Sequence, residues 1–286
     1  MRSVLIVNPR ASRVTEPLTD QVAQILGADE ILRTERAAHA TELARALTGI
    51  ERIYVFSGDG GFNEVLNGAP AGAVLGFVPG GGTSVLPRAL GLPRDPLQAA
   101  ARLAGGQTRR ISLGRANGRR FGFSAGLGLD AELIRRMDSR GRDPSGKRPG
   151  DAVFAWTALQ ALAAHRARFE PALEIAGHGS AAFALVANSD PYSYAGKIPL
   201  RLPRGARFEA GLDLLAPRAF RPRDIPGALR YLLTGRTRIP LVTLHDQDRI
   251  EIRSFAPMPL QVDGEDLGDV SEVVLEAERD AVDVLA

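Results

Sequence analysis

The sequence predicts an α/β fold, with a parallel-sheet domain followed by a domain of antiparallel strands. Over roughly the first 110 residues, apolar strand segments alternate with amphipathic helix segments, which is the pattern of βαβ units in a parallel sheet. After Ile111, short strand segments follow one another with turn residues between them, as in an antiparallel β-sandwich. We therefore expect domains over residues 1–111 and 112–286, with a C-terminal tail that packs back on the first domain.

The elements of the first part have clear local signatures. SVLIVN, EILRT, RIYVFS and AVLGFVP are the predicted strands, and the last two are continuous apolar runs typical of strands buried on both faces. Apolar residues at helical spacing predict a helix over residues 16–26. AAHATELARALTG predicts a second helix that Gly49 closes.

After Ile111 the pattern of predicted elements is different. Helices are predicted over residues 131–137, 151–167 and 225–233, and DSRGRDPSGKRPGD, residues 138–151, is predicted to be a loop. Trp156 lies on an apolar segment that has two interpretations: a membrane-facing or acceptor-binding helix, and a packed helix, which we expect. The predicted strands are RRFGFSAG, ALEIAG, AAFALVANS, LDLLAP, RIEIRSF, PLQVDG and EVVLEAE.

Composition limits the class of protein. Among the 286 residues, 44% are hydrophobic and 24% are charged, as in soluble globular proteins. The net charge of +3 is too small to indicate a nucleic-acid partner. The absence of cysteine excludes disulfides and thiolate zinc sites and suits a reducing cytoplasm. We expect a cytoplasmic protein.

Two glycine-rich turns each follow an apolar strand. In a parallel sheet both turns would lie at the carboxyl edge, where ligands bind in open α/β folds. Glycine lets backbone N–H groups approach an anion closely, and a following helix adds its positive end. Neither turn is a Walker A motif or a GxGxxG fingerprint. The pattern predicts a phosphate-binding site at Gly58, Gly60, Gly61, Gly80, Gly81 and Gly82.

Asp59 lies inside the first of these turns, at the start of a predicted helix. One interpretation is a helix cap, because Asp is favoured at that position. The other is a partner for Mg²⁺ or a base beside a transferring phosphoryl group. The residues alone leave both interpretations open.

The motif SGDGGFNEVLNG resembles the signature of the diacylglycerol kinase catalytic-domain family, which includes bacterial lipid kinases and sphingosine kinases. Its Phe-Asn-Glu-Val continuation fits this branch better than the NAD kinases of the same fold superfamily. Further segments resemble family motifs in the same order: IVNPRAS, LGFVPGGGTSVLPRALGLP, VANSDPYSYAGKIPL and MPLQVDGEDL. The resemblance thus covers nearly the whole chain.

The resemblance implies an NAD-kinase-like nucleotide domain, a β-sandwich domain, and ATP- and Mg²⁺-dependent phosphorylation of a lipid hydroxyl in a cleft between them. Asp59 would act on the hydroxyl or organise the metal, and Asp263 and Glu265 would complete the reaction centre. The Asp263–Gly264 pair also predicts a hairpin turn. The residues implied in ATP binding are Asn8, Gly58, Gly60, Gly61, Asn63, Glu64, Gly80, Gly81, Gly82, Thr83 and Ser84.

The partners implied are a lipid alcohol resembling diacylglycerol, used in phospholipid biosynthesis, and a membrane surface contacted peripherally. Anionic headgroups attract basic clusters. One such cluster is Arg135, Arg136, Arg140, Arg142, Lys147 and Arg148. The sequence sets neither the acceptor lipid nor the oligomeric state.

Two alternatives remain open. Ser84 stands where the family usually has Asn, and EAGLD, residues 209–213, keeps only part of an Asp-Asp-Gly-x-Leu-Asp motif, which leaves a non-catalytic lipid- or nucleotide-binding protein possible. GFSAG matches the G-x-S-x-G nucleophile elbow of hydrolases, with Ser124, Asp213 and His245 in the required chain order. That second interpretation leaves both glycine turns unexplained.

Overall fold

The computed structural model describes residues 2–139 and 151–286, and within the helix that begins at Asp151 it describes no side chain before Trp156. The described chain divides into two compact units. The first contains residues 2–113 and 279–286, and the second contains residues 114–139 and 151–278.

The first unit is built on a parallel sheet in the order β2–β1–β3–β4, with residues Asp283 and Val284 pairing parallel to β4. Because β1, β3 and β4 run in one direction, their carboxyl ends share one edge of the sheet. The elements are β1 (Ser3–Val7), α1 (Glu16–Leu26), β2 (Glu30–Arg33), α2 (His39–Ala46), β3 (Arg52–Ser57), α3 (Asp59–Leu66), β4 (Val74–Pro79), α4 (Val85–Ala89) and α5 (Pro96–Ala104).

Apolar strands hold this unit together. β1 is buried throughout, and β3 is buried from Ile53 to its end, so the sheet is covered on both faces. The core cluster includes Leu5, Tyr54, Phe56 and Leu103, each at most 1% exposed. Burial of this kind stabilises by about 1.5–3 kcal/mol for each large side chain.

The second unit contains an antiparallel sheet in the order β14–β13–β10–β7–β15–β16, and β8 pairs with β15. The remaining elements, of which β5 begins and β16 ends in the first unit, are β5 (Thr108–Ala116), β6 (Arg119–Phe121), β7 (Ser124–Leu127), α6 (Leu129–Ser139), α7 (Asp151–Ala164), β8 (Leu173–Ile175), β9 (Gly179–Ala181), β10 (Ala184–Ala187), β11 (Ser193–Ala195), β12 (Ile198–Leu200), β13 (Leu212–Pro217), a 3₁₀ turn (Pro222–Asp224), α8 (Ile225–Thr234), β14 (Leu241–Gln247), β15 (Arg249–Val262) and β16 (Glu265–Leu285). The parallel sheet and the antiparallel strands confirm the predicted fold class. In the described ranges, no helix has the length and apolar character needed to cross a membrane.

Several predicted boundaries are wrong for local reasons. The helix α2 ends at Ala46, where Leu47 turns to extended backbone, so Gly49 does not close it. The helix α7 ends before Arg166 and Ala167, because both have positive φ and cannot continue a helix. RIEIRSF and most of PLQVDG form one strand, β15, whose prolines lie at two register shifts, one between Arg253 and Met258 and one between Pro259 and Gln261.

The expectation that the segment around Trp156 is a packed helix holds for one side of α7 and is wrong for Trp156 itself. Trp156 is 54% exposed and Leu159 is 55% exposed, whereas Thr157 and Ala161 are buried. Thr157 and Ala161 therefore face the protein, and Trp156 and Leu159 face outward. Of the predicted loop over residues 138–151, the first two residues continue α6, and residues 140–150 lie outside the described residues.

Candidate active site

The first glycine turn connects β3 directly to α3. Gly58 is the N-cap residue with extended backbone, so Asp59 is the first residue of the helix and does not cap it. Gly60 and Gly61 lie in the first helical turn. A Cβ at Gly61 would lie 2.1 Å from Ser57 Oγ, which explains the glycine at that position. The N-cap residue is a glycine and offers no side chain to cap the amides at this helix start, which suits an anion-binding helix N-terminus.

The second glycine turn follows β4 and is attached to the first. The Gly80 N–H donates to Ser57 O at 2.7 Å, and Gly80 O accepts from the Arg13 N–H at 2.9 Å. The Gly81 N–H donates to Ser84 Oγ at 3.2 Å. Ser84 has φ 49° and ψ 63°, the left-handed conformation that Asn adopts more readily than Ser.

The two turns touch at glycine. A Cβ at Gly81 would lie 2.8 Å from Gly58 Cα, closer than real Cβ contacts, and a Cβ at Gly58 would lie 3.4 Å from Gly81 Cα. Gly82 is exposed, and a Cβ there would meet nothing within 4 Å. The contact between backbones therefore requires glycine at position 81 and not at position 82.

Asp59 connects the two turns. Its Oδ1 accepts from the Leu86 N–H of α4 at 3.3 Å, and the residue is only partly buried. Asp59 thus caps a helix, as one interpretation held, but that helix is α4 and not α3, which begins at Asp59. A carboxylate in this place orients the start of α4 and keeps a negative charge beside both glycine turns.

Three arginines that the sequence motifs did not single out surround the second turn. Arg94 Nη2 donates to Gly82 O at 3.1 Å, Arg88 Nη1 to Thr83 O at 3.4 Å, and Arg13 Nη1 to Arg94 O at 2.8 Å. Arg94 and Arg88 bind carbonyl groups of the turn and the segment after it, Arg13 binds the carbonyl group of Arg94, and all three place positive charge near the turn. Thr83 itself is half-buried. No local motif identifies these arginines, because their partners are carbonyl groups in other segments.

Asn8 directly follows β1 at the same sheet edge. Its N–H donates to Phe56 O at 3.0 Å, and its Oδ1 accepts from the Arg10 N–H at 3.0 Å. The side chain thus forms an Asx turn that directs the chain away from the strand.

Asn63 and Glu64 have structural partners. Asn63 is fully buried, and its Oδ1 lies 3.2 Å from Asn67 Nδ2. Glu64 Oε1 accepts from the Ala38 N–H and Oε2 accepts from the Ala40 N–H, each at 3.0 Å. Glu64 therefore caps the start of α2, and its predicted part in shaping an ATP pocket stays a prediction.

Asp263 lies in the second unit, in the two-residue turn between β15 and β16. Asp263 and Gly264 both have positive φ, as the predicted hairpin turn requires. The carboxylate is buried; Oδ2 accepts from the Gly122 N–H at 2.6 Å, and Oδ1 accepts from the N–H groups of Phe123 at 2.9 Å and Ser124 at 3.1 Å. Asp263 thus fixes residues 122–124 against the hairpin. Glu265 follows the turn, is about a quarter exposed, and forms an ion pair with Arg119.

A hydrogen-bond network not expected from the sequence supports this hairpin. Gln261 Oε1 accepts from the Gly264 N–H at 2.9 Å, while Gln261 Nε2 and the Tyr192 hydroxyl each donate to Asp130 Oδ2 at 2.6 Å. Burial raises the pKa of Asp130, and these two donors oppose that rise. Burial and the neighbouring Asp130 raise the pKa of Tyr192.

The hydrolase interpretation does not fit the geometry. Ser124 is the buried first residue of β7, whereas a nucleophile elbow places its serine in a turn from strand to helix. Asp213 and His245 do meet, with His245 Nδ1 3.0 Å from Asp213 Oδ2. Ala187 of β10, however, pairs with both Ser124 and Asp213 and so separates them. The three side chains do not form a triad.

Residues 2–116 match the family model described as the diacylglycerol kinase catalytic domain. A diacylglycerol kinase of Bacillus subtilis (strain 168) is 37% identical over 152 residues, which cover 49% of this chain and 50% of the relative. One from Staphylococcus carnosus (strain TM300) is 32% identical over 151 residues, which cover 49% of each protein. The matched segments thus span about half the length of these relatives.

The fold has been seen in a solved structure. A crystal structure described as a diacylglycerol kinase from Bacillus anthracis str. Sterne superposes with a TM-score of 0.71, covering 99% of this chain and 96% of the other, at 19% sequence identity. At that identity the likeness shows the fold. Residues 2–116 are thus similar to the diacylglycerol kinase catalytic domain.

Proposed function

We propose that the chain is a lipid kinase that transfers the γ-phosphate of ATP to a lipid hydroxyl of the diacylglycerol kind. The observation that carries the proposal is Asp59, a partly buried carboxylate at the contact of two glycine turns on the carboxyl edge of a parallel sheet. The relatives that match half of the chain are named diacylglycerol kinases, which supports the same activity.

The glycine turns suit the phosphates of ATP. The helix α3 presents the backbone N–H groups of its first turn, and Gly58 and Gly61 put no side chain in front of them. Gly82 is exposed and leaves open space where a Cβ would stand. The guanidinium groups of Arg13 and Arg94 add positive charge at the second turn.

The donor set also fits Mg²⁺ carried by the nucleotide. Among the described residues, no group of three His, Cys, Asp or Glu side chains could hold a metal by itself. A single carboxylate suits Mg²⁺, which binds through one or two carboxylates together with substrate phosphates and water. We assign Asp59 to that contact. When bound, the cation neutralises charge on the phosphoryl group.

Asp59 is also the base that the reaction requires. A lipid alcohol loses its proton as it attacks, and a carboxylate within hydrogen-bond reach can accept that proton. Glu265 and Asp263 are proposed to contribute from the second unit. Glu265 is paired with Arg119, and Asp263 is bound to three backbone N–H groups, so we expect Asp263 to act by holding the hairpin in place.

The proposal includes a cytoplasmic location with peripheral contact to a membrane, because the acceptor lies in a bilayer. A non-catalytic binder is the second candidate. It is favoured by Ser84, whose left-handed backbone sits in the turn where the family usually has Asn. Such a protein would bind ATP tightly without turnover.

The test is phosphate transfer from labelled ATP, with Mg²⁺, to lipid alcohols in mixed micelles. The acceptors are diacylglycerol, a sphingoid base, phosphatidylglycerol and a polyprenol. Transfer to diacylglycerol above the other acceptors is the expected result. Tight ATP binding with no transfer to any acceptor would reject the kinase and favour the non-catalytic binder.

A further inference from the structure

The helix α8 of the second unit exposes an apolar stripe. Ile225, Leu229 and Leu233 are spaced four residues apart, which places them along one side of a helix, and they are 36%, 56% and 81% exposed. The opposite side is the packed one. Tyr231 packs against the cluster that contains Leu185, and it is partly buried. The stripe is therefore not the side by which α8 attaches to its unit.

The chain around this helix carries charge of one sign. Residues 218–244 include six arginines and one acidic residue, Asp224. The Asp224 carboxylate accepts a hydrogen bond from the backbone N–H of Arg221 at 2.9 Å, so this acidic group already has a partner at the start of the helix. Within residues 2–139 and 151–286, four exposed arginines near α8 form no ion pair: Arg223, Arg230, Arg236 and Arg238.

The basic cluster expected from the sequence differs in this respect. Arg135 forms ion pairs with Asp266 and Asp269, and Arg136 pairs with Glu132, so these two charges are largely neutralised. The other members of that cluster lie outside the described residues. Among the residues that the structure describes, the unpaired positive charge is therefore greater around α8 than at Arg135 and Arg136.

We propose that α8 docks on an anionic phospholipid bilayer, with Ile225, Leu229 and Leu233 entering the headgroup region. A surface helix with an apolar stripe flanked by arginines is the arrangement that binds in the plane of a membrane interface. Guanidinium groups bind phosphate through two parallel hydrogen bonds, and each adds about fivefold in affinity near an anionic surface. The inference deepens the proposed function and rests on it for the reason to approach a bilayer. The docking itself requires neither ATP nor acceptor.

The charge favours a bilayer over a protein partner. An apolar stripe alone would suit either, but unpaired arginines surround it and the one acidic side chain of residues 218–244 is already occupied. A planar array of phosphates matches positive charge that is spread along the helix. We therefore expect binding to weaken steeply with salt, because the charges are exposed.

The experiment measures co-sedimentation of the full chain with vesicles of phosphatidylcholine alone or mixed with phosphatidylglycerol. We expect binding to the anionic vesicles only. Leu229→Gln/Leu233→Gln removes two anchors worth about tenfold each, and binding should fall about 100-fold. Arg230→Gln/Arg236→Gln/Arg238→Gln should lower it to a similar degree. All these positions are exposed, so thermal unfolding of the variants should match that of the wild type.

Two control substitutions make the same kinds of residue change on β15 instead of at α8. Phe255→Gln removes a large apolar side chain that is 60% exposed on β15, and Arg253→Gln removes an exposed arginine that is paired with Glu272. Both should bind vesicles as the wild type does. Equal binding by the stripe variants and the controls would overturn the proposal. So would light scattering that shows a dimer broken by Leu229→Gln/Leu233→Gln, since the stripe would then be an interface between copies of the chain.

A second readout separates this inference from the proposed function. Transfer to a short-chain, water-soluble diacylglycerol should be the same in the stripe variants and the wild type. No transfer by the wild type, with α8-dependent vesicle binding intact, would reject the kinase and keep the docking helix. Normal phosphate transfer, together with vesicle binding that is unchanged by the α8 substitutions, would reject the docking helix and leave the proposed kinase standing.

Discussion

The contact between the two glycine turns predicts that Gly81→Ala is damaging. The new Cβ would lie 2.8 Å from Gly58 Cα, a backbone atom that cannot rotate away. The turns must part by about 0.6 Å to restore an ordinary contact of 3.4 Å. Overpacking of this kind costs about 1–3 kcal/mol. The φ of Gly81 lies outside the left-handed region, so the backbone itself tolerates alanine. The cost of the substitution therefore comes from the contact with Gly58.

The midpoint of thermal unfolding, Tm, and ATP affinity are the quantities to measure. Gly81→Ala should lower Tm by roughly 2–10 °C and weaken ATP binding about tenfold or more, since the phosphate-binding amides move apart. Gly82→Ala is the matched control for stability, because its Cβ meets nothing within 4 Å; its Tm should stay within about 2 °C of the wild type. A Gly81→Ala protein that melts with the wild type and binds ATP equally well would refute the reasoning.

Three further predictions concern carboxylates with defined partners. Asp263→Ala should lower the free energy of unfolding, measured in urea, by about 3–5 kcal/mol, because it leaves three buried N–H groups of residues 122–124 without an acceptor; a loss below 1 kcal/mol would contradict this. Glu64→Ala should cost about 1–2 kcal/mol through the start of α2, whereas Glu35→Ala, an exposed change nearby, should be neutral. Hydrogen bonds from Arg120 and Arg115 lower the pKa of Glu278 to about 2. This stabilisation is complete above the ordinary pKa of 4.5 and is lost as the pH falls toward 2. Between pH 5 and pH 3 the wild type should therefore lose about 1–2 kcal/mol more than Glu278→Gln, allowing for partial exposure, and parallel losses would exclude the pair as the cause.

Local patterns were enough to predict most elements. RIYVFS is an uninterrupted apolar run and forms β3, and the start of α1 at Glu16 follows from the proline after it and from helical spacing. Asp263–Gly264 forms the hairpin turn because both positions adopt positive φ, which Asp and Gly tolerate. Boundaries were wrong where backbone conformation, not side-chain pattern, ends an element, as at Leu47 after α2.

The candidate site was predictable only in part. The glycines and Asp59 carry local signatures, but the hydrogen bond from Leu86 to Asp59 joins residues 27 positions apart. Glu64 is similar, since its two acceptor oxygens bind amides of α2 more than 20 residues earlier in the chain. Such contacts depend on which helices the sheet brings side by side, and no short motif records that.

The outward face of α7 was missed for another reason. Trp156 and Leu159 belong to a run that is apolar on every side, so periodicity does not tell which side packs. In the structure Thr157 and Ala161 are buried, so the side of α7 that carries them is the side that packs. In α8 the stripe of Ile225, Leu229 and Leu233 has regular spacing, yet only the packing of Tyr231 shows that the stripe faces outward.

The most direct test of the central claim is phosphate transfer by Asp59→Asn, with Asp20→Asn, an exposed change on α1 of the same unit, as the control. Asparagine keeps the size of the side chain and an oxygen for the Leu86 N–H, but it cannot accept a proton. Loss of a general base lowers turnover about 10²- to 10⁴-fold, and we expect that loss in Asp59→Asn with Tm unchanged, and none in Asp20→Asn. Transfer by Asp59→Asn at the wild-type rate would contradict the account.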